Sequence, residues 1–139
     1  MKFIPSLIVV AFLGVFSLNS SAQCDTIASM CERHIMKNYI SDGQAYRALL
    51  NGSDVAEFQT TLFGGNTYRI AACSGTSDSN LIFRIFDQDK NLLFTNSEFG
   101  NAPYWDFNIE NTMLITIEST LDETRSESGC AVVVIGFKR

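Results

Sequence analysis

Residues 81–96 read LIFRIFDQDKNLLFTN, and this stretch decides the fold. Two apolar runs flank the polar segment 87–91, which is the pattern of a β-hairpin. Both faces of the first run are largely apolar, which indicates a strand more buried than its neighbours. We therefore expect this hairpin to lie in the centre of the core.

Further short strands separated by polar turns flank the hairpin on both sides. Before it, residues 55–63 alternate between apolar and polar side chains. After it, residues 104–109 alternate again, and residues 130–137 form a continuous apolar run. This series of strands, from about residue 44 to about residue 137, predicts a mainly β fold, an antiparallel β-sandwich of jelly-roll type.

One helical pattern precedes the strands, at about residues 25–40. Its interior lacks Gly and Pro, and Ile27, Cys31 and Ile35 recur on one face. His34, the single histidine, falls on the same face and is typical of a half-buried helix residue. A catalytic histidine would also require a nucleophile and an orienting acid.

Residues 1–22 have the pattern of a secretory signal peptide, with a basic start, an apolar stretch and a small-residue site that ends at Ala22. A membrane anchor is the alternative, but the apolar stretch is short for a bilayer span. A lipoprotein signal at Cys24 is disfavoured because Gln23, directly before it, is not small. We expect cleavage after Ala22, a single domain over residues 23–139, and no membrane insertion after cleavage.

Four cysteines, Cys24, Cys31, Cys73 and Cys130, predict two disulfides in an exported protein. Three pairings are possible. Cys73 ends one predicted strand and Cys130 begins another, which favours a Cys73–Cys130 bond. Cys24 would then lie outside the helix and pair with Cys31 at its start. The spacings lack a CxxC pair and the chain has one His, so a zinc site is disfavoured.

The net charge and its distribution argue against two classes of binding partner. The chain has 10 Lys and Arg against 15 Asp and Glu, a net charge of −5, and the basic residues do not cluster. Nucleic acids and anionic membranes bind concentrated positive charge, so neither is an expected partner. The sequence also lacks a nucleophile elbow, a paired-carboxylate motif and a set of metal-binding histidines, so we expect no enzyme.

Residues 57–137 resemble the bacterial pre-peptidase C-terminal (PPC) domain. The resemblance rests on an F-x-x-x-L-x-G-G-x-T-Y-R-I run at residues 58–70, on the hairpin at 81–93 and on the late apolar strand. It implies a jelly-roll-like, non-catalytic module of the kind that accompanies secreted enzymes and for which polysaccharide binding has been suggested. The N-terminal helix and the four cysteines depart from that family.

The hairpin turn is a candidate calcium site. Asp87, Asp89 and Asn91 have the D-x-D-x-N spacing of a calcium loop, and Glu98 falls at the twelfth position. Leu92 occupies the sixth position, where an EF-hand loop needs Gly. The alternative is a polar turn without a bound ion. Apart from this possible calcium, the sequence indicates no cofactor.

An aromatic loop is the candidate ligand site. Phe99, Tyr104 and Trp105 lie in or beside a loop that also carries Asn101, and rings beside amide groups are typical of sugar-binding surfaces. Alternation places Trp105 with Phe107 towards the core, so Tyr104 is the better exposed candidate. We therefore expect a secreted or periplasmic, non-catalytic module that binds an extracellular glycan or protein. The alternative is an accessory envelope protein that acts through protein–protein contacts.

Overall fold

The structure is a computed structural model that describes residues 20–75 and 77–138, with side chains from residue 24. The predicted signal peptide therefore lies almost wholly outside the described residues. Among those residues, no helix is long and apolar enough to cross a membrane. The elements are α1 (Ser20–Cys31), a 3-10 turn (Glu32–His34), β1 (Ile40–Asn51), β2 (Val55–Leu62), β3 (Asn66–Cys73), β4 (Leu81–Phe86), β5 (Leu92–Thr95), a second 3-10 turn (Asn96–Phe99), β6 (Tyr104–Ile109), β7 (Met113–Leu121) and β8 (Ser128–Lys138).

The strands form two antiparallel sheets of four, in the orders β1-β8-β3-β6 and β2-β7-β4-β5. The pairs are nested along the chain, since β1 pairs with β8, β2 with β7, β3 with β6, and β4 with β5. The chain is thus one long hairpin wrapped into a sandwich, which is the topology of a jelly roll. This confirms the predicted fold class. The β4–β5 hairpin is the innermost pair of the nested series.

The hairpin at residues 81–96 is buried through one face of its first strand, and its second strand is at the end of its sheet. The prediction that it lies in the centre of the core is therefore wrong, since β8 is the strand buried on both faces. Leu81, Phe83 and Ile85 are buried, and Ile85 pairs with Phe94 across the hairpin. The main core lies between the sheets, where these residues meet others from β3, β7 and β8, including Ile70, Ile115, Ile117, Val133 and Ile135.

The two sheets differ on their outer faces. On β8 the outward side chains Val132 and Val134 are as buried as the inward ones, because α1 and the chain after it pack over them with Ala71. We call β1-β8-β3-β6 the covered sheet and β2-β7-β4-β5 the open sheet. The continuous apolar run predicted for residues 130–137 follows from this double burial.

The helix differs from its predicted bounds of 25–40. It begins at Ser20 and ends at Cys31, and the chain then turns and enters β1 at Ile40. The apolar periodicity of the sequence extends beyond Cys31 because Ile35 and Tyr39 are also buried. These two residues pack onto the covered sheet outside the α-helix. They lie over Gly136, where an added Cβ would come within 2.9 Å of the Tyr39 Cβ. Tertiary packing therefore shapes this segment.

The predicted disulfide pairing is wrong. The bonds are Cys24–Cys130 and Cys31–Cys73, with Cα–Cα distances of 5.4 and 5.8 Å. Cys24 lies inside α1, and the two helical cysteines, two turns apart, face the sheet together. Register explains the error, since Cys73 pairs with Val132 rather than with Cys130. Both strand cysteines point outward at the helix, so each disulfide fastens α1 to the covered sheet.

Candidate functional site

The candidate site is a band of aromatic rings along one side of the sandwich. Here β5, at the end of the open sheet, faces β6, at the end of the covered sheet. Neither strand has a second pairing partner among the described residues. The gap between them is filled by side chains that we call the aromatic seam: Phe94, Phe99, Trp105 and Phe107.

The rings of the seam are in continuous contact. The ring centroid of Phe94 lies 5.3 Å from that of Trp105 and 5.1 Å from that of Phe107. Phe99 stacks on Phe94 at 5.7 Å and lies 4.3 Å from Trp105. Phe99 is 48% exposed, and the other three rings are half-buried. The seam therefore presents rigid apolar area to solvent, at a place where the two sheets do not close on each other.

Phe99 is held over the seam by a buried amide. Asn96, at the start of the same 3-10 turn, accepts a hydrogen bond from the Phe83 backbone N–H through Oδ1. Its Nδ2 donates to the carbonyl oxygens of Leu81 and Ala102. Since all three bonds are to backbone groups of β4 or of the loop before β6, Asn96 fastens the Phe99 turn to the core.

Asn101 lies outside the seam. Its side chain is buried, and Nδ2 donates to the Ser79 carbonyl at 3.2 Å and to Oδ2 of Asp122 at 2.7 Å. The hydroxyl of Thr124 donates to the same carboxyl group and holds its pKa below the usual value, with further hydrogen bonds acting in the same direction. Asn101 thus ties three loops together, while its part in ligand binding stays a prediction.

Tyr104 points to the opposite face of β6 from Trp105. Its ring lies over the covered sheet, 4.3 Å from the Arg69 guanidinium carbon and 5.2 Å from the His34 ring. Of the four predicted ligand-binding residues, the structure therefore brings together Phe99 and Trp105. Tyr104 and Asn101 belong to other groups of contacts.

Arg69 organises the outer face of β6. Its guanidinium lies between the rings of Tyr39 and Tyr104, at 4.5 and 4.3 Å. Nε and Nη2 donate to the two carboxylate oxygens of Asp106 at 2.7 and 3.0 Å, and Nη1 donates to the His34 carbonyl. These hydrogen bonds lower the pKa of Asp106. We call these four side chains (Tyr39, Arg69, Tyr104 and Asp106) the arginine cluster, and it joins the chain before β1 to the edge strand β6.

The predicted calcium turn is closed by its own hydrogen bonds. Oδ1 of Asp87 accepts from the backbone N–H groups of Asp89 and Asn91, and Oδ2 accepts from the Asn91 side chain. The Asn91 side chain, followed by these backbone bonds, lowers the pKa of Asp87. This is the geometry of an Asx turn. Calcium binding by Asp87, Asp89 and Asn91 stays a prediction.

Comparison with known proteins gives a likeness of fold. No family model matches the chain, and no curated protein matches it. Among solved structures, the chain is similar to PliG of Aeromonas hydrophila, a periplasmic lysozyme inhibitor of g-type lysozyme. The two share 12% sequence identity with a TM-score of 0.54, and the match covers 75% of this chain and 91% of PliG. At this identity the likeness concerns the fold alone.

Sequence reasoning missed half of the seam and most of the arginine cluster. Phe94 lies in the second apolar run of the predicted hairpin, and alternation already grouped Phe107 with Trp105. The sequence does not show that β5 and β6 face each other across the sandwich. The Arg69–Asp106 pair follows from the β3–β6 register, in which the two residues are direct partners.

Proposed function

We propose that this chain is a non-catalytic protein of the periplasm or extracellular space that binds another protein through the aromatic seam. The observation that carries the proposal is the continuous contact of four partly exposed rings at the junction of the two sheets. Aromatic side chains that remain partly exposed while packed against each other are typical anchors of protein interfaces.

The backbone beside the seam favours a protein as the ligand. β5 and β6 each leave one edge of backbone N–H and C=O groups without a strand partner among the described residues. An extended segment of another protein can pair with such an edge, and the rings beside it then supply apolar contact. A partner held in this way gains main-chain hydrogen bonds and aromatic burial together.

The structural neighbour supports the same class of function. PliG is a periplasmic protein whose partner is a protein, g-type lysozyme. The two disulfides of this chain suit an oxidising compartment outside the cytoplasm. g-type lysozyme is therefore the first partner to test, both for binding and for inhibition.

The experiment compares two exposed phenylalanines. Surface plasmon resonance would measure g-type lysozyme binding to the wild-type protein and to the variants Phe99→Ala and Phe63→Ala. We expect Phe99→Ala to weaken binding by about tenfold or more, as loss of an anchor residue does. Phe63, which is 58% exposed and follows β2 at the far side of the open sheet, serves as the matched control. Equal binding by all three proteins would rule out the seam as the contact site.

A glycan is the second candidate ligand, because half-exposed rings such as Trp105 can also stack on sugar faces. A glycan array with the same two variants separates the alternatives. Glycan binding that is lost in Phe99→Ala, together with no binding of g-type lysozyme, would replace the protein-binding proposal. The resemblance to the PPC domain and the role of an accessory envelope protein are both compatible with a protein partner.

A further inference from the structure

The Cys31–Cys73 disulfide lies among side chains that ligate metals. His34 is one helical turn beyond Cys31, at the end of the 3-10 turn, and Asp78 lies in the loop that follows Cys73. Nε2 of His34 lies 3.1 Å from Oδ1 of Asp78. The ligand atoms of His34, Cys73 and Asp78 all lie within 4.8 Å of one another.

All four side chains line one small concavity. It has a volume of about 190 Å³ and opens to solvent beside the disulfide. Cys31 is fully buried and Cys73 nearly so, whereas His34 is half-buried and Asp78 is exposed. An ion can therefore enter from the side of the histidine and the carboxylate and meet the sulfur atoms at the bottom.

The donor set fits zinc. Two sulfurs, one imidazole nitrogen and one carboxylate oxygen are all zinc ligands, and four of them complete a tetrahedral site. With Zn–S bonds of about 2.3 Å, two thiolates on one zinc ion stand about 3.7 Å apart. The 5.8 Å Cα–Cα distance is compatible with that separation. Arg33 lines the same concavity and would balance the net charge of −1 on the loaded site.

We propose that reduction of this disulfide converts Cys31, His34, Cys73 and Asp78 into a zinc site. A two-electron reductant of the dithiol class breaks the S–S bond, becomes a disulfide itself and transfers its two protons to the cysteine sulfurs. Zinc then displaces one proton from each thiol, and the His34 ring and the Asp78 carboxylate exchange their mutual hydrogen bond for bonds to the metal. Disulfide and zinc are thus mutually exclusive at this position, and the protein binds zinc in its reduced form alone.

The test titrates cobalt, the spectroscopic substitute for zinc, into protein that carries the double substitution Cys24→Ser and Cys130→Ser. This leaves Cys31 and Cys73 as the only thiols in the described residues. Under anaerobic conditions a phosphine reductant opens the bond and becomes the phosphine oxide by taking up the oxygen of one water. We expect the near-ultraviolet thiolate-to-cobalt absorption to appear at one metal per chain and to vanish when zinc is added.

Four further variants, made in the same background, test the ligand set. His34→Ala and Asp78→Asn should each weaken cobalt binding by more than about tenfold, since even outer-shell substitutions cost that much. Asp89→Asn, in the distant hairpin turn, should leave it unchanged. Adding Cys31→Ser and Cys73→Ser should abolish the thiolate band.

Circular dichroism in the same titration covers the case in which the reduced protein unfolds. Metal should then restore the β-sheet spectrum, because a site that forms in the native state stabilises that state. The proposal is overturned if stoichiometric cobalt produces neither the thiolate band nor refolding. It is also overturned if His34→Ala and Asp78→Asn bind as tightly as the parent protein.

Discussion

The covered sheet and the open sheet differ in how deeply their outer faces are buried. In the covered sheet, outward residues such as Ala71, Val132 and Val134 are fully buried beneath α1 and the chain after it. In the open sheet, outward residues such as Glu57 and Gln59 face solvent. What distinguishes the sheets is one helical segment held by two disulfides, so this segment should account for most of the difference in their sensitivity to substitution.

The comparison also places the two candidate sites. The aromatic seam lies where the sheets meet at β5 and β6, and the proposed zinc ligands lie where the helical segment meets the covered sheet. Substitution of Phe99, the exposed ring of the seam, should therefore alter binding with little effect on stability, whereas substitutions beneath the helix should alter stability first.

The largest effect should come from removing one of the two disulfides that hold the helix. We expect the double substitution Cys31→Ala and Cys73→Ala to lower the free energy of unfolding by roughly 4 kcal/mol, because the bond closes a long loop in the unfolded chain. Urea denaturation of the two proteins measures the difference. A loss below about 1 kcal/mol would mean that packing and the remaining Cys24–Cys130 bond hold the helix on the sheet.

A matched pair of isoleucines should give the next largest effect. Ile35 is buried on the outer face of the covered sheet, and Ile82 is half-buried on the outer face of the open sheet. Ile35→Ala should cost roughly 3 kcal/mol of unfolding free energy, since it leaves a cavity. Ile82→Ala should cost less than about 1 kcal/mol because its site is half open to solvent. Equal losses in the same denaturation assay would show that the helical segment packs loosely.

The smallest effect should come from the ion pairs on the two outer faces. Asp106→Asn breaks the bidentate pair with Arg69, whereas Glu118→Gln breaks a single contact of 3.3 Å to Arg84 on the open sheet. Both carboxylates are partly exposed, so we expect losses below about 1 kcal/mol, with the larger one for Asp106.

The dependence of stability on pH identifies the Asp106 contribution. Its pKa lies below the ordinary value of 3.8 in the folded protein, because Arg69 donates hydrogen bonds to it. The folded state is therefore stabilised above pH 3.8, and this contribution is lost as the pH falls through the folded pKa. Thermal melts of wild-type and Asp106→Asn protein should differ at neutral pH and converge in strong acid. A difference that persists unchanged in acid would assign the effect to packing.

Much of the fold could be predicted from the sequence because it depends on local patterns. The hairpin at residues 81–96, the alternating strands and the apolar β8 all follow from side-chain period and turn residues. The end of the helix could not be predicted, because Ile35 and Tyr39 keep a helical spacing in the sequence. In the structure they lie after the helix and pack onto the covered sheet. The apolar spacing correctly predicted that Ile35 is buried, but it wrongly predicted that Ile35 and Tyr39 belong to the α-helix.

By itself, the sequence determined the β-sandwich, the presence of two disulfides and the hairpin at residues 81–96. These depend on neighbours along the chain or on counts. The tertiary structure alone decided which cysteines pair, which rings share the seam, and that His34 and Asp78 meet at the Cys31–Cys73 bond. Each of these depends on the register between β3 and its neighbours or on the way the sheets and α1 stack. A register shift of one residue reverses the face of every side chain.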